Sequence, residues 1–213
     1  MKLSGKITGI LTKIFDMAAL SLFFLLCCIP VVTVIPAACA LYQTGSKVLR
    51  HDVGKVTGEF FKTFKDSLRQ GIPLSLIYIL LAGILFGMKL FYDWKGVNTN
   101  LGSIYFVFVL VFSVVLACVS YYLIPVITRF SVTLGGGLRL ALWFGAKNLF
   151  TMIPLVITFA GAVALCYVVP FALIIVPGFY AWLWALPVEK SFKKYIIEEL
   201  KDPEAHEGMW YMD

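Results

Sequence analysis

From Asn148 to Pro187 the chain runs for forty residues without one charged side chain. Leu101 to Thr128 is a second uncharged block, and a third apolar run begins near Ile14. A bilayer needs about 20 apolar residues per helical crossing, and blocks of this kind are its signature. Hydrophobic residues make up 61% of the chain against 14% charged, with a mean hydropathy of +0.91. The expectation is an all-α fold: a polytopic transmembrane helix bundle forming a single domain over residues 1–213. About five membrane segments are expected, near 14–41, 72–91, 101–128, 149–168 and 171–188, followed by a charged tail over 189–213.

The first segment is interrupted. Pro30 and Pro36 lie six residues apart in Cys27–Tyr42, CCIPVVTVIPAACALY. Each ring removes an N–H and clashes with the carbonyl four residues earlier, which predicts a helix, a short extended break and a second helix. Thr33 and Pro36 fit the start of that second helix, where proline is tolerated in the first turn. A break at membrane depth has to be covered by protein or a water-filled cavity. Lys2, Lys6 and Lys13 ahead of an apolar run, with Ala38-Cys39-Ala40 behind it, also resemble a cleavable signal. The run is long and contains prolines, so a retained segment is expected.

Two polar stretches separate the apolar blocks. In EFFKTFKDSLRQG, Phe60, Phe61, Phe64 and Leu68 share one helical face, and Glu59, Lys62, Lys65, Asp66 and Arg69 take the other. Such an interfacial amphipathic helix suits the headgroup plane, and packing against neighbouring spans suits it equally. Pro73 then falls in the first turn of the second segment, with Lys89 and an aromatic belt of Tyr92 and Trp94 at its far end. The second polar stretch, Arg129 to Asn148, contains Gly135-Gly136-Gly137, which predicts a hinge or turn and lacks the rest of a phosphate-loop pattern. A turn is expected near Pro170, a kink at Pro177-Gly178, and the end of the last segment at Pro187. Ile72-Pro73-Leu74 and Ile153-Pro154-Leu155 open segments, while Ile124-Pro125-Val126 and Leu186-Pro187-Val188 close them, the outline of two tandem helical pairs.

Charge orients the segments. Residues 43–71 hold six Lys and Arg, 129–148 hold three and the tail holds four, against only Lys89 and Lys95 on the opposite side. The positive-inside rule places the thirteen in the cytoplasm. A re-entrant first element, broken at Pro30–Pro36, would keep the three N-terminal lysines there as well. The net charge of +6 thus reflects loops facing an anionic leaflet rather than nucleic acid. The five cysteines lie in apolar blocks as small hydrophobes and report no redox compartment.

Reactive chemistry finds few candidates. Neither His51 nor His206 lies in a segment, no H-E-x-x-H or G-x-S-x-G pattern occurs, and the acidic residues sit in loops, tails or segment ends. No enzyme, metal or cofactor is expected. Ion-coupled transport calls for charges inside the bundle, and none is read there. A carrier or channel for uncharged solutes remains as the alternative, with Thr33, Ser75, Ser113, Ser120, Tyr121, Tyr122 and Thr158 as candidate lining. The same hydroxyls serve equally as helix–helix hydrogen bonds.

Leu26 to Arg50, LCCIPVVTVIPAACALYQTGSKVLR, resembles the opening of the YesL-like bacterial membrane proteins (domain of unknown function 624). Pro30, Val31, Val32, Thr33, Pro36, Ala37, Ala40, Leu41 and Tyr42 match that family's pattern, and Ile35 stands where the pattern has glycine. Phe60 to Gln70 is similar to a second family stretch. The resemblance implies a multi-pass protein of the bacterial cell membrane, with no established activity. It further implies an accessory or regulatory role beside a carbohydrate ABC transporter or other membrane protein. On this reading Pro30, Thr33, Pro36 and Tyr42 form a structural or gating motif. Arg50, Lys62, Lys65, Arg69, Arg139 and Lys147 are candidate contacts to lipid headgroups or a partner.

Overall fold

The computed structural model describes residues 2–95, 100–129 and 134–198, all helix or short connection, with no strand among the described residues. Seven α-helices follow in order: α1 (Lys2–Cys28), α2 (Val34–Thr44), α3 (Val56–Lys95), α4 (Asn100–Arg129), α5 (Leu134–Lys147), α6 (Leu149–Val168) and α7 (Val176–Glu198). Two of them are long and apolar enough to cross a membrane, over Leu11–Cys28 and over Val56–Gly87, and Pro154–Val168 is a shorter apolar helix. Only 11% of each long window is buried, whereas a soluble protein's core helix would be mostly covered.

The break at the first proline is present, and its backbone is satisfied locally. Helix α1 stops at Cys28, Pro30 is extended (φ −76°, ψ 113°), and one 3-10 turn, Val31–Thr33, leads into α2. The expected cover of protein is missing there: Ile29 and Val31 are 75% and 62% exposed. Instead, the Thr33 hydroxyl lies 2.6 Å from the Cys27 carbonyl and 2.7 Å from that of Pro30, and the Thr33 N–H donates to Pro30. Thr33 therefore serves the end of α1, and its side chain makes no cap bond to α2. The new helix has few donors to satisfy. Val34 donates to the Val31 carbonyl, Ile35 donates to Ser75 Oγ on α3 at 3.3 Å, and Pro36 has no N–H.

After the break the chain doubles back. Helix α2 continues into a π-helical turn, Gly45–Arg50, and a tight connection with positive φ at Asp52 (56°) and Gly54 (90°). Asp52 then pairs with Lys13 at 3.1 Å, so the return limb ends beside the start of the apolar part of α1. The two limbs form a helical hairpin.

Helix α2 is the hub. Ile35, Pro36, Ala37, Cys39, Ala40, Leu41, Tyr42 and Thr44 are all buried, against α1, α3, α4 and α7. Close approaches are made at glycines. A Cβ on Gly71 would lie 2.6 Å from the Pro36 ring, one on Gly45 would lie 2.8 Å from the Ala181 methyl, and one on Gly178 would collide with the Met17 carbonyl. The Ser21 hydroxyl locks the last contact, donating to the Met17 carbonyl and accepting from the Gly178 N–H at 2.8 Å.

Several expectations change. The amphipathic stretch and second segment are one 40-residue helix, α3, with Pro73 in its interior rather than its first turn. At 1.5 Å per residue that is about 60 Å, twice a bilayer's hydrocarbon thickness of about 30 Å. The polar half does not lie flat as a separate interfacial helix. Phe60 is fully buried, with the Phe23 and Phe64 rings at 5.9 and 6.3 Å, while Phe61, 100° around the helix, is 42% exposed. Gly135-Gly136-Gly137 occupies the first turns of α5 instead of a hinge, and the chain breaks at Asn148 instead. Pro177-Gly178 starts α7 rather than kinking it, and the helix passes through Pro187 to Glu198. Proline costs least in a first turn, where its missing donor has no intrahelical partner. The predicted 149–168 segment coincides with α6, and the turn at Pro170 is a short 3-10 stretch, Pro170–Ile174. The tandem pairs are unequal, since α3 is continuous where α5 and α6 are separated. The tail from residue 199, the side chains of Lys89, Tyr92 and Trp94, and that of Ser113 lie outside the described residues.

Candidate functional site

A charge is buried where the sequence suggested none. Arg129, the last residue of α4, meets Glu189, midway along α7, and their side chains are 4% and 5% exposed. Nη1 donates to Oε2, and Nη2 donates to Oε1 at 2.6 Å, the two-pronged geometry that suits a guanidinium and a carboxylate. Tyr42 and Ser46 stand one helical turn apart and donate their hydroxyls to Oε1, each at 2.8 Å. Burial first, and then the Glu189 carboxylate, push the Tyr42 phenol well above its ordinary range, so it remains the donor. Phe192 lies under the guanidinium at 5.6 Å, Trp184 stands edge-on to the Tyr42 ring at 5.1 Å, and Arg50 donates to the Ala185 carbonyl at 3.3 Å. The knot ties α2, α4 and α7 together.

Arg129 also lines a polar cavity of about 360 Å³, together with Gln43, Lys47, Glu59, Lys62 and Asp66 among others. Lys47 and Glu59 pair across it at 2.7 Å. Chemically, the Glu189 carboxylate is saturated. Both oxygens of Glu189 accept hydrogen bonds, which leaves the carboxylate poorly placed to act as a base or nucleophile. Among the described residues no three His, Cys, Asp or Glu side chains come together as metal ligands.

The other candidate residues fall into two groups. Pro30 is exposed at the break, Thr33 caps α1, Pro36 packs on Gly71 and Tyr42 sits in the knot. These four are not one cluster. Lys62, Lys65 and Arg69 are exposed along the polar half of α3, and Arg139 is exposed on α5. Lys147 is exposed with its ammonium 4.5 Å from the Trp143 ring, while Arg50, at the end of the π-helical turn, is half-buried against α7.

Among the described residues, the hydroxyls considered as solute lining are engaged or buried within the protein. Ser75 accepts from Ile35, Ser120 bonds Tyr78 at 2.7 Å, Tyr121 bonds the Leu155 carbonyl and Tyr180, and Thr158 bonds Leu155. Tyr122 is buried, stacked on Phe144 at 5.8 Å. A second cavity, of about 540 Å³, does reach the chain just past the break, at Val34 and Ala38. Its walls are almost wholly apolar.

The Arg129–Glu189 pair escaped notice because each residue reads locally as an ordinary charge at the end of an apolar block. One signal was available. Arg129 stands four residues after Pro125 and Glu189 two residues after Pro187, so opposite charges stand just beyond the X-Pro-Val triplets of two segments.

No curated protein and no solved structure matches the chain. The model of one family, described as "Protein of unknown function, DUF624", matches residues 17–87, about a third of the chain. That match contains the break, all of the hub helix and most of α3, and over this stretch the chain is similar to the DUF624 family.

Proposed function

We propose that the chain is a non-enzymatic, multi-pass protein of the bacterial cell membrane, acting as an accessory or regulatory component beside another membrane protein. The observation that carries this reading is the division of α3. An apolar half suited to the bilayer continues without interruption into a polar half that holds Lys62, Lys65 and Arg69 exposed. A rigid helix of about 60 Å presents that basic face clear of the hydrocarbon, within reach of anionic headgroups or an acidic partner surface. The saturated Glu189 carboxylate supports a structural rather than catalytic core.

Five segments are proposed, with the basic connectors and C-terminal tail cytoplasmic. The hairpin made by Lys13 and Asp52 favours a re-entrant first element, which brings Lys2, Lys6 and Lys13 to the same side as residues 43–71. The link to carbohydrate uptake is what the family resemblance implies, and a carbohydrate ABC transporter is the proposed partner. Affinity capture from mild detergent tests this: a transporter subunit should co-purify with the wild type and be lost with Lys62→Glu/Lys65→Glu/Arg69→Glu. A reproducible monomer with no partner would overturn it. The solute-carrier alternative draws no support from the second cavity, whose hydroxyls are already bonded within the protein.

A further inference from the structure

We infer that the cavity of about 540 Å³ beside the proline break is a binding site for one acyl chain of a bilayer lipid. The inference rests on the proposed membrane location. Six parts of the fold wall it, among them α2 through Val34 and Ala38, α4 through Tyr121, α6 through Ala162 and Cys166, and α7 through Trp184. The few hydroxyls in that wall are already engaged, Ser120 with Tyr78, Tyr121 and Tyr180 with each other, and Tyr121 with the Leu155 carbonyl as well.

What fills such a space follows from its rim. Val34, Phe159 and Val163 line the cavity and are 38%, 49% and 54% exposed, and Val31 and Ile157 nearby in sequence are 62% and 65% exposed. The cavity is therefore continuous with the outward apolar surface of the helices, the surface that hydrocarbon would cover. Water entering it would find little to bond, while an empty apolar space forfeits the contacts its lining could make. A chain methylene gains when buried from water but little when exchanged from bilayer hydrocarbon, so the selection here is by shape. One polar group in the lining lacks a partner: the indole N–H of Trp184, buried in a residue only 5% exposed. A chain with an ester or carboxyl oxygen would supply the acceptor that the protein does not.

Trp184 is also the reporter. In a variant with Trp94, Trp143, Trp182 and Trp210 replaced by Phe, Trp184 is the single indole, reconstituted in phosphatidylcholine vesicles whose acyl chains are dibrominated. A second reporter, Phe86→Trp in a background also carrying Trp184→Phe, reads the bilayer directly, because Phe86 is 62% exposed on α3. Brominated chains should quench both, and filling the cavity with Ala162→Phe, or independently Cys166→Leu, should restore Trp184 emission while leaving the Phe86→Trp signal quenched. Quenching of Phe86→Trp alone would overturn the cavity site and leave the membrane reading standing. Quenching of neither would overturn the membrane reading itself. Quenching of Trp184 that both filling variants leave unchanged, or that appears only on diluting the protein in the vesicle, as a second copy occupying the cavity would cause, would overturn the cavity site.

Discussion

Arg129 and Glu189, sixty residues apart in sequence, close a two-pronged ion pair that two hydroxyls from the hub helix complete. Breaking a buried pair by removing one partner costs about 3–5 kcal/mol, because the other charge is left uncompensated. Arg129→Ala and Glu189→Ala should each lose stability of that order in detergent. The double variant Arg129→Ala/Glu189→Ala should lose less than the two single losses combined, because no unpaired charge stays buried, although Tyr42 and Ser46 still lose their acceptor. Unfolding of the four proteins measures the coupling. Equal losses that simply add would show that the two residues act separately.

Tyr42→Phe keeps the ring against Trp184 and deletes one donor to Glu189. A hydrogen bond to a charged group is worth about 1.5–3 kcal/mol, and the loss should fall in that range at neutral pH. The folded phenol lies above its unfolded value of about 10, so its contribution is fully present below pH ~10 and declines as pH rises beyond it. The difference between wild type and Tyr42→Phe should therefore narrow above pH ~10 in chemical unfolding followed across pH.

At Gly71, even Ala places a methyl against the Pro36 ring, while at Gly58 a Cβ meets nothing within 4 Å. Gly58→Ala should be neutral or stabilising by up to about 1 kcal/mol, since alanine is the better helix former. Gly71→Ala gains the same propensity and should still destabilise, by about 1–3 kcal/mol of overpacking. Thermal melts of the two variants test the contrast directly.

Thr33→Val removes the hydroxyl at the Cys27 and Pro30 carbonyls and should cost about 1 kcal/mol, with Thr33→Ser close to wild type. If the break were instead a gate, the two substitutions would alter solute flux without this order of stabilities.

Single cysteines at Lys55 and Lys147, both exposed, test the proposed orientation in a background without the native cysteines. A membrane-impermeant maleimide should leave both unlabelled in intact cells and react with both after lysis. Labelling of both in intact cells would invert the arrangement.

Local pattern carried much of this fold. The limits of α6 and the restart at Val34 follow from uninterrupted apolar residues and from a proline whose missing donor suits a first turn. The polar label on residues 43–50 misled, because Thr44, Gly45 and Ser46 are fully buried or nearly so against α7, which a sequence without its partners cannot reveal. Pro73 and Pro187 misled in the opposite way. Both were read as boundaries, yet each lies within a continuous helix, where packing offsets a lost backbone bond. The candidate site was illegible for a related reason. An ion pair is a fact about two distant positions, and neither Arg129 nor Glu189 carries it alone.

The leading hairpin and α7 complete one another: Ser21 satisfies the Gly178 N–H, and Glu189 accepts from Tyr42 and Ser46. During synthesis, then, the hub helix emerges well over a hundred residues before its acceptor exists. Those hydroxyls must wait in a provisional arrangement, and the leading hairpin can settle only when the ribosome has delivered α7.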